Sequence, residues 1–198
     1  MPAIKKSILL TIILFQSISG LYAQLNEVSV IGGFSANGLA RFAQLEGGGS
    51  YDGDGGWHTG LKFSKKLNKD TWITSGLVYS QHLITITPEY FPDVEIVSRT
   101  EKISLISIPF ELRLDFLKYF FINAGPSLDI DISSEDTGLD SQSGLGLGMG
   151  FGGKISYKKI IFKVNPWLKI YSLLPFQLEN YHQHLVESGV GLSVGYAF

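Results

Sequence analysis

The stretch Gly144-Leu145-Gly146-Leu147-Gly148-Met149-Gly150-Phe151-Gly152-Gly153 decides the fold, because glycine alternates with large apolar side chains until the final pair. A period of two is the side-chain pattern of a β-strand, in which successive residues point to opposite faces. One face of this strand is therefore apolar, and the other face has no side chains. Glycine weakens an ordinary strand, so a face made of glycine indicates that other groups approach it closely. We expect that face to point into a narrow barrel and the apolar face to contact lipid.

Alternation recurs along the chain and predicts an all-β fold, an eight-stranded antiparallel up-and-down transmembrane β-barrel. The predicted strands cover about residues 27–35, 57–67, 71–87, 106–116, 119–132, 144–157, 160–171 and 186–198. Long and short connections alternate between them, which is typical of a barrel with short periplasmic turns and longer extracellular loops. The predicted long connections are residues 36–56, 88–102, 133–143 and 172–184. The facing of the third strand stays open, because both of its faces carry apolar residues.

Composition and the amino terminus indicate an exported membrane protein. Charged residues make up 17% of the chain, below the roughly 25% of soluble domains. No stretch approaches the ~20 apolar residues of a membrane helix, so any span must be built from strands. Residues 1–23 are predicted to be a signal peptide, with Lys5 and Lys6 ahead of an apolar stretch, and residues 24–198 to be the barrel domain. An uncleaved anchor is the alternative, because Leu21 stands where a small residue is usual.

The composition also excludes several classes of function. The chain has no cysteine, which excludes disulfides, thiol catalysis and a lipoprotein anchor. Its net charge of −2 and its dispersed Lys and Arg residues do not form the basic patch that binds nucleic acid.

We expect localisation in the cell outer membrane, with outer-membrane lipid around the barrel and a possible protein partner at the extracellular loops. The ending with Tyr196 and Phe198 resembles the signal recognised by the barrel-assembly machinery.

A hairpin in the middle of the chain carries a family resemblance. It reads Ile106-Ser107-Ile108-Pro109-Phe110-Glu111-Leu112-Arg113-Leu114, followed by Tyr119-Phe120-Phe121-Ile122-Asn123-Ala124-Gly125-Pro126-Ser127-Leu128. This hairpin resembles the IPxxL hairpin and GP-containing strand of the PorT-like outer-membrane β-barrel family. The resemblance implies a small OmpX-like barrel in a Gram-negative outer membrane, without a shared catalytic motif to transfer. It also supports an alternative function, an accessory barrel of a protein-secretion or envelope-assembly machine.

Charged residues lie on the predicted inward face of six strands. The set comprises five basic and five acidic residues: Lys62, Glu111, Arg113, Asp115, Asp129, Asp131, Lys154, Lys163, Lys169 and Glu187. An eight-stranded barrel is only wide enough for its side chains to fill the interior. We therefore expect a salt-bridged, packed lumen with a structural or partner-recognition role for the protein, and a narrow solute pore is the alternative. The packing residues are predicted to be Gly144, Gly146, Gly148, Gly150 and Gly152, with Trp167 as a large complement.

Two motifs lack the context that their chemistry needs, so no metal or cofactor is expected. The run Asp52-Gly53-Asp54-Gly55-Gly56 has too few carboxylates for a calcium loop. The spacing Gly148-x-Gly150-x-x-Gly153 satisfies a dinucleotide fingerprint, but the strand-then-helix unit of that fingerprint is missing.

Two further alternatives remain. His182, His184, Glu179 and Ser172 form a conceivable set for a lipid-modifying enzyme, although we expect His58, His82 and these two histidines to have no catalytic role. A secreted, soluble lipocalin-like ligand binder would show the same alternation with the apolar face turned inward. The glycine face argues against it, because that face would then be exposed to water.

Overall fold

The structure is a computed structural model that describes residues 25–41, 50–88, 97–133, 138–177 and 182–198. Eight strands run through these residues: β1 (Asn26–Arg41), β2 (Ser50–Lys66), β3 (Thr71–Thr87), β4 (Arg99–Phe116), β5 (Phe120–Asp131), β6 (Gly144–Tyr157), β7 (Ile160–Pro175) and β8 (Gln183–Ala197). Neighbouring strands are antiparallel, and β8 pairs with β1 to close a barrel. The predicted fold class is confirmed. The predicted signal peptide, residues 1–23, lies outside the described residues.

The two ends of the barrel differ in the length of their connections. Residues 67–70, 117–119 and 158–159 join β2 to β3, β4 to β5 and β6 to β7 at one end, the turn end. Asn26 and Phe198 also lie there, and they exchange two backbone hydrogen bonds of 2.9 Å. The other end, the connection end, carries the longer connections. No helix among the described residues is long and apolar enough to cross a membrane.

The outer face of β4 has the height of a membrane. Its even-numbered residues from Ile106 to Phe116 are all apolar and point outward, and they span ten positions. At about 3.3 Å per residue this face extends about 33 Å along the strand. A strand tilt of about 40° reduces that length to about 25 Å along the barrel axis, which is the height of the apolar band of a membrane barrel.

Apolar residues change sides above this band. Beyond Ile106 the outward positions of β4 carry Lys102 and Thr100, whereas the inward positions carry Leu105 and Ile103. A continuous row of outward apolar side chains indicates contact with lipid, so the exchange marks where β4 leaves the membrane and contributes to a small core inside the barrel. The same exchange settles the facing of β3, whose even-numbered residues point inward.

Several strands are longer than predicted at the connection end. The predicted loop 36–56 is wrong at both of its ends, because β1 continues to Arg41 and β2 already begins at Ser50. The predicted connections 88–102 and 172–184 are also shortened by strand residues. Cross-strand pairs such as Arg41 with Gln183 and Ser50 with Thr87 account for the added length. On β4 the outward positions beyond the lipid are polar, so the outward apolar alternation that predicts strands is lost there.

The Gly/Asp-rich segment therefore belongs to β2. A register shift between Gly53 and Gly56 forms a bulge, and Gly55 has a φ of +90°, a conformation that favours glycine. The Asn37 side chain on β1 accepts a hydrogen bond from Gly55 N at 2.9 Å and donates one to Gly55 O at 2.9 Å. These glycines shape a bulged strand rather than the exposed loop that was predicted.

Candidate functional site in the barrel interior

An ion-pair cluster fills the interior near the turn end. It consists of Glu27 on β1, Arg113 and Asp115 on β4, Lys154 on β6 and Lys163 on β7. Glu27 is fully buried and accepts hydrogen bonds from Arg113 Nη1, at 3.2 Å, and from Lys163 Nζ. Asp115 pairs with Lys154 and lies 3.3 Å from Arg113 Nε. Each charge has an opposite partner, which offsets the free-energy cost of removing it from water.

Aromatic rings complete the closure of the turn end. The Trp72 indole donates a hydrogen bond to Asp115 Oδ2 at 2.8 Å, and the Arg113 guanidinium lies 4.3 Å from the Trp72 ring centroid. Phe121 lies 6.0 Å from the same guanidinium. Trp72 and Phe121 are both buried. The ion-pair cluster and these rings therefore leave little room for solvent at this end.

Two further ion pairs lie at mid-height. Lys62 Nζ is 2.7 Å from Glu111 Oε1, and Lys169 Nζ is 2.8 Å from Asp129 Oδ1. Asp129 also accepts hydrogen bonds from the hydroxyl groups of Ser107, at 2.6 Å, and Ser127, at 2.8 Å. These donors satisfy the buried carboxylate more fully than one lysine could.

A cavity of about 140 Å³ lies between these pairs. It is lined by His58, Asn123, Gly148, Asn165 and Trp167, among other residues. The Oδ1 atoms of Asn123 and Asn165 have no hydrogen-bond partner within the described part of the chain. At about 30 Å³ for each water molecule, a cavity of this volume has room for about four or five of them. The centre of the interior therefore holds a cavity, whereas packing throughout was predicted.

Above the cavity, Glu187 is held by neutral donors. Its carboxylate accepts hydrogen bonds from Tyr171 Oη at 2.7 Å, Trp167 Nε1 at 3.2 Å and Ser35 Oγ at 3.2 Å. His82 Nε2 lies 3.5 Å from the same carboxylate. These contacts join β1, β3, β7 and β8 across the barrel, so the groups around Glu187 form a polar layer beneath the connection end.

An apolar plug fills the lumen above this polar layer. The plug consists of Ile84, Ile86, Ile103, Leu105, Tyr171 and Leu185, all of them buried. Leu39, Tyr51 and Leu139 pack against it. Its residues come from β3, β4, β7 and β8, and their removal from water stabilises the strand ends beyond the membrane. The plug places apolar side chains of four strands across the lumen.

Gln142 fastens the third connection across the mouth of the barrel. Its side chain is fully buried and accepts hydrogen bonds from Leu185 N at 2.8 Å and Ser172 Oγ at 3.1 Å. The same amide donates a hydrogen bond to Gln183 O at 2.8 Å. Gln142 thereby ties residues of the connection to β7 and β8.

The structure brings most of the predicted charged residues into this interior network. Asp131 differs, because its carboxylate accepts backbone hydrogen bonds from Ser133 N at 2.9 Å and Gln142 N at 2.8 Å instead of pairing with a base. Glu27 was not among the predicted residues. The signal was present in β1, where the outward Val28 and Val30 place Glu27 on the inward parity.

The inward glycines of β6 have complements other than the predicted one. The Phe121 ring covers Gly152, the amides of Asn123 and Asn165 cover Gly150, and Asp129 and Ser127 cover Gly146. The backbone of Leu174 and Pro175 approaches Gly144. Trp167 packs on Gly189 of β8 instead of on β6. Gly148 has no close neighbour, because an added Cβ would have no atom nearer than 3.9 Å, and it lines the cavity.

The conceivable catalytic set is partly assembled. Ser172 Oγ lies 3.1 Å from His182 Nε2, and His184 Nδ1 lies 3.0 Å from Ser172 O. Burial lowers the pKa of His182, which favours its neutral form. However, Ser172 is fully buried and also bonded to Gln142, so its hydroxyl is not open to a substrate. Glu179 lies outside the described residues.

The closed antiparallel barrel, with an apolar band outside and paired charges inside, defines a small membrane β-barrel. The chain belongs to the outer membrane protein beta-barrel domain family, whose pattern it matches over residues 22–198. The protein is located in the outer membrane, which excludes the soluble lipocalin-like alternative. Short turns of such barrels face the periplasm, so the turn end is periplasmic and the connection end extracellular.

One solved structure supports this fold, and two others are similar to the chain at lower TM-scores. The outer membrane protein OprG from Pseudomonas aeruginosa has 13% sequence identity and a TM-score of 0.51, over 87% of this chain and 96% of that chain. The N-terminal β-barrel domain of Pseudomonas aeruginosa OprF has 19% identity and a TM-score of 0.41, over 86% and 97% of the two chains. Ail of Yersinia pestis has 14% identity and a TM-score of 0.41, over 87% and 99%. No curated protein sequence matches the chain.

Proposed function

We propose that the protein is a sealed, non-enzymatic barrel that acts through its extracellular surface. The observation that carries this proposal is the closure of the lumen at both ends, by the ion-pair cluster on the periplasmic side and by the apolar plug on the other. A solute pore needs a continuous polar path, and the plug interrupts it. The chemistry available for recognition then lies on the outer strand ends and their connections.

The segments at the extracellular end are strongly acidic in sequence. Residues 36–56, 88–102, 132–143 and 172–184 contain eleven acidic and three basic residues, a net charge of −8. Among the described acids, Asp52 and Asp54 are exposed on β2. A surface of one sign attracts partners of the opposite sign and repels others. The partner class that fits this surface is a cationic protein or peptide.

Binding of a cationic probe to intact cells tests this role. Cells that display the protein should bind a fluorescent octalysine peptide more strongly than cells without it, and the difference should vanish in about 1 M salt because charges are then screened. The variant Asp52→Asn/Asp54→Asn should reduce the difference about twofold or more. The control is Asp70→Asn, which removes an exposed acid from a periplasmic turn and should have no effect. Equal binding with and without the protein would refute the proposal.

An accessory role in secretion or envelope assembly is the second candidate, supported by the PorT-like hairpin that contains Pro109 and Pro126. Loss of the protein would then retain secreted proteins in the periplasm. Wild-type secretion in a deletion strain would remove this candidate without affecting the first.

A further inference from the structure

The periplasmic end carries a ring of lysines. Six lie in the turns or in the strand ends next to them: Lys65, Lys66, Lys69, Lys118, Lys158 and Lys159. Residues 65–70, 117–119 and 158–159 contain these six lysines and one acid, Asp70, so the net charge of these three segments is +5. The lysine ring therefore has the opposite sign to the extracellular surface. This separation requires an explanation, because the net charge of the whole chain is only −2.

Three of the lysines lie against exposed tyrosine rings at the edge of the apolar band, whereas Lys66 Nζ lies 5.5 Å from the ring centroid of the buried Trp72. Lys118 Nζ is 5.2 Å from the Tyr119 ring centroid, and Lys158 Nζ is 5.6 Å from that of Tyr157. Lys159 Nζ is 5.6 Å from the Tyr196 ring centroid. All three tyrosines are exposed on the barrel surface. Tyrosines at this position lie among lipid headgroups, so the contacts hold the ammonium groups at the same level.

The geometry of the turns does not explain the choice of lysine. Lys118 and Lys158 have φ values of 63° and 55°. Left-handed turn positions favour glycine and asparagine, which enter that conformation at low cost. Leu117, beside Lys118, also has a positive φ, of 47°, so these turns accept an uncharged side chain as well, and their geometry gives no reason for lysine.

We propose that the lysine ring binds the phosphate headgroups of anionic phospholipids in the periplasmic leaflet of the outer membrane. A lysine ammonium binds phosphate as a point charge, and basic clusters beside a membrane segment select anionic lipid. A lipid fits better than an acidic protein, because the turns are short and their lysines lie against lipid-facing tyrosines. This inference depends on the orientation of the barrel and is independent of the extracellular role.

Lipid competition on the full-length mature protein tests the inference. The tagged, folded protein is immobilised in mixed micelles of a nonionic detergent with equimolar phosphatidylglycerol and phosphatidylcholine, and the bound lipids are quantified by mass spectrometry. The wild type should retain about fivefold or more phosphatidylglycerol over phosphatidylcholine, and Lys118→Gln/Lys158→Gln should lose most of that preference. The matched control is Arg41→Gln/Lys102→Gln, which changes the net charge equally at the other end of the barrel.

The outcomes separate a local site from a general charge effect. A preference that is lost in the periplasmic variant and kept in the control supports the lysine ring. An equal loss in both variants, or no preference in the wild type, overturns the inference, and the second result would favour an acidic protein at this end. If the periplasmic variant does not fold, as judged by heat-modifiable gel mobility, the wild type is compared at low salt and at about 1 M salt. A preference that persists in high salt also overturns the inference.

Discussion

Gly152→Ala should destabilise the protein and Gly148→Ala should not, although both glycines lie on the inward face of the same strand. An added Cβ at Gly152 would lie 2.7 Å from Phe121 Cε1 and 2.6 Å from the Val164 carbonyl oxygen. At Gly148 the nearest atom would be 3.9 Å away, across the edge of the cavity. The first methyl group therefore overlaps a ring and a backbone atom, whereas the second one fits.

The magnitudes follow from packing and chain entropy. Overpacking of a filled interior costs about 1–3 kcal/mol, so Gly152→Ala should lower the free energy of unfolding by that amount. Gly148→Ala should leave it unchanged or raise it by about 0.4–1 kcal/mol, because alanine restricts the unfolded chain. With a urea dependence of about 2 kcal/mol per molar, a loss of 2 kcal/mol shifts the unfolding midpoint by about 1 M.

Urea unfolding in lipid vesicles measures the difference. The folded fraction is read from heat-modifiable gel mobility and from tryptophan fluorescence, and the two readings should agree. We expect the midpoint of Gly152→Ala to fall and that of Gly148→Ala to stay or rise. Equal midpoint shifts in the two variants would refute the assignment of Phe121 as the complement of Gly152 and of Gly148 to the cavity edge.

Three other predictions concern single side chains. Glu27→Gln should lower the free energy of unfolding by about 3–5 kcal/mol, since it leaves the buried Lys163 without its paired carboxylate and Arg113 with Asp115 alone. Glu101→Gln, at a partly exposed pair, should cost under about 1 kcal/mol, and similar urea midpoints for the two variants would contradict this. Phe198→Ala should keep the urea midpoint and reduce the folded protein in cell outer membranes, and normal assembly would remove the assembly-signal role. Ser172→Ala should cost about 1 kcal/mol through lost hydrogen bonds, and any change in phospholipid hydrolysis by the purified protein would contradict a purely structural serine.

Most of the fold was predictable from the sequence, because the membrane restricts which residues a strand can present to lipid. Within lipid the backbone must be paired in a closed barrel and the outer face must be apolar, so alternation in segments such as residues 106–116 is a strong signal. The ends of the strands extend beyond the lipid, so their sequences do not show this outward apolar alternation. Ile103 and Leu105 show what replaces it, an exchange of apolar residues from the outer to the inner face.

The sequence predicted which residues point into the interior, but it did not predict which of them form ion pairs with one another. Alternation placed the charges of β2 and β4–β8 inward, but pairing depends on barrel geometry that links strands far apart in sequence. Glu27, for example, meets Lys163 across 136 positions. The complements of the β6 glycines come from β5 as well as β7, which alternation in one strand cannot specify. The cavity beside Gly148 is the part of the lumen that the inward side chains of the strands leave unfilled. The residue pattern of single strands does not predict that volume.

Single-channel recording in planar bilayers tests the sealed lumen most directly. Full-length mature protein is first reconstituted into vesicles, where heat-modifiable mobility shows that it has folded, and is then fused with a bilayer in about 1 M KCl. The apolar plug and the ion-pair cluster predict a silent membrane with no discrete current steps. Stable, reproducible channels from the folded wild type would contradict the closure of the barrel and the function built on it.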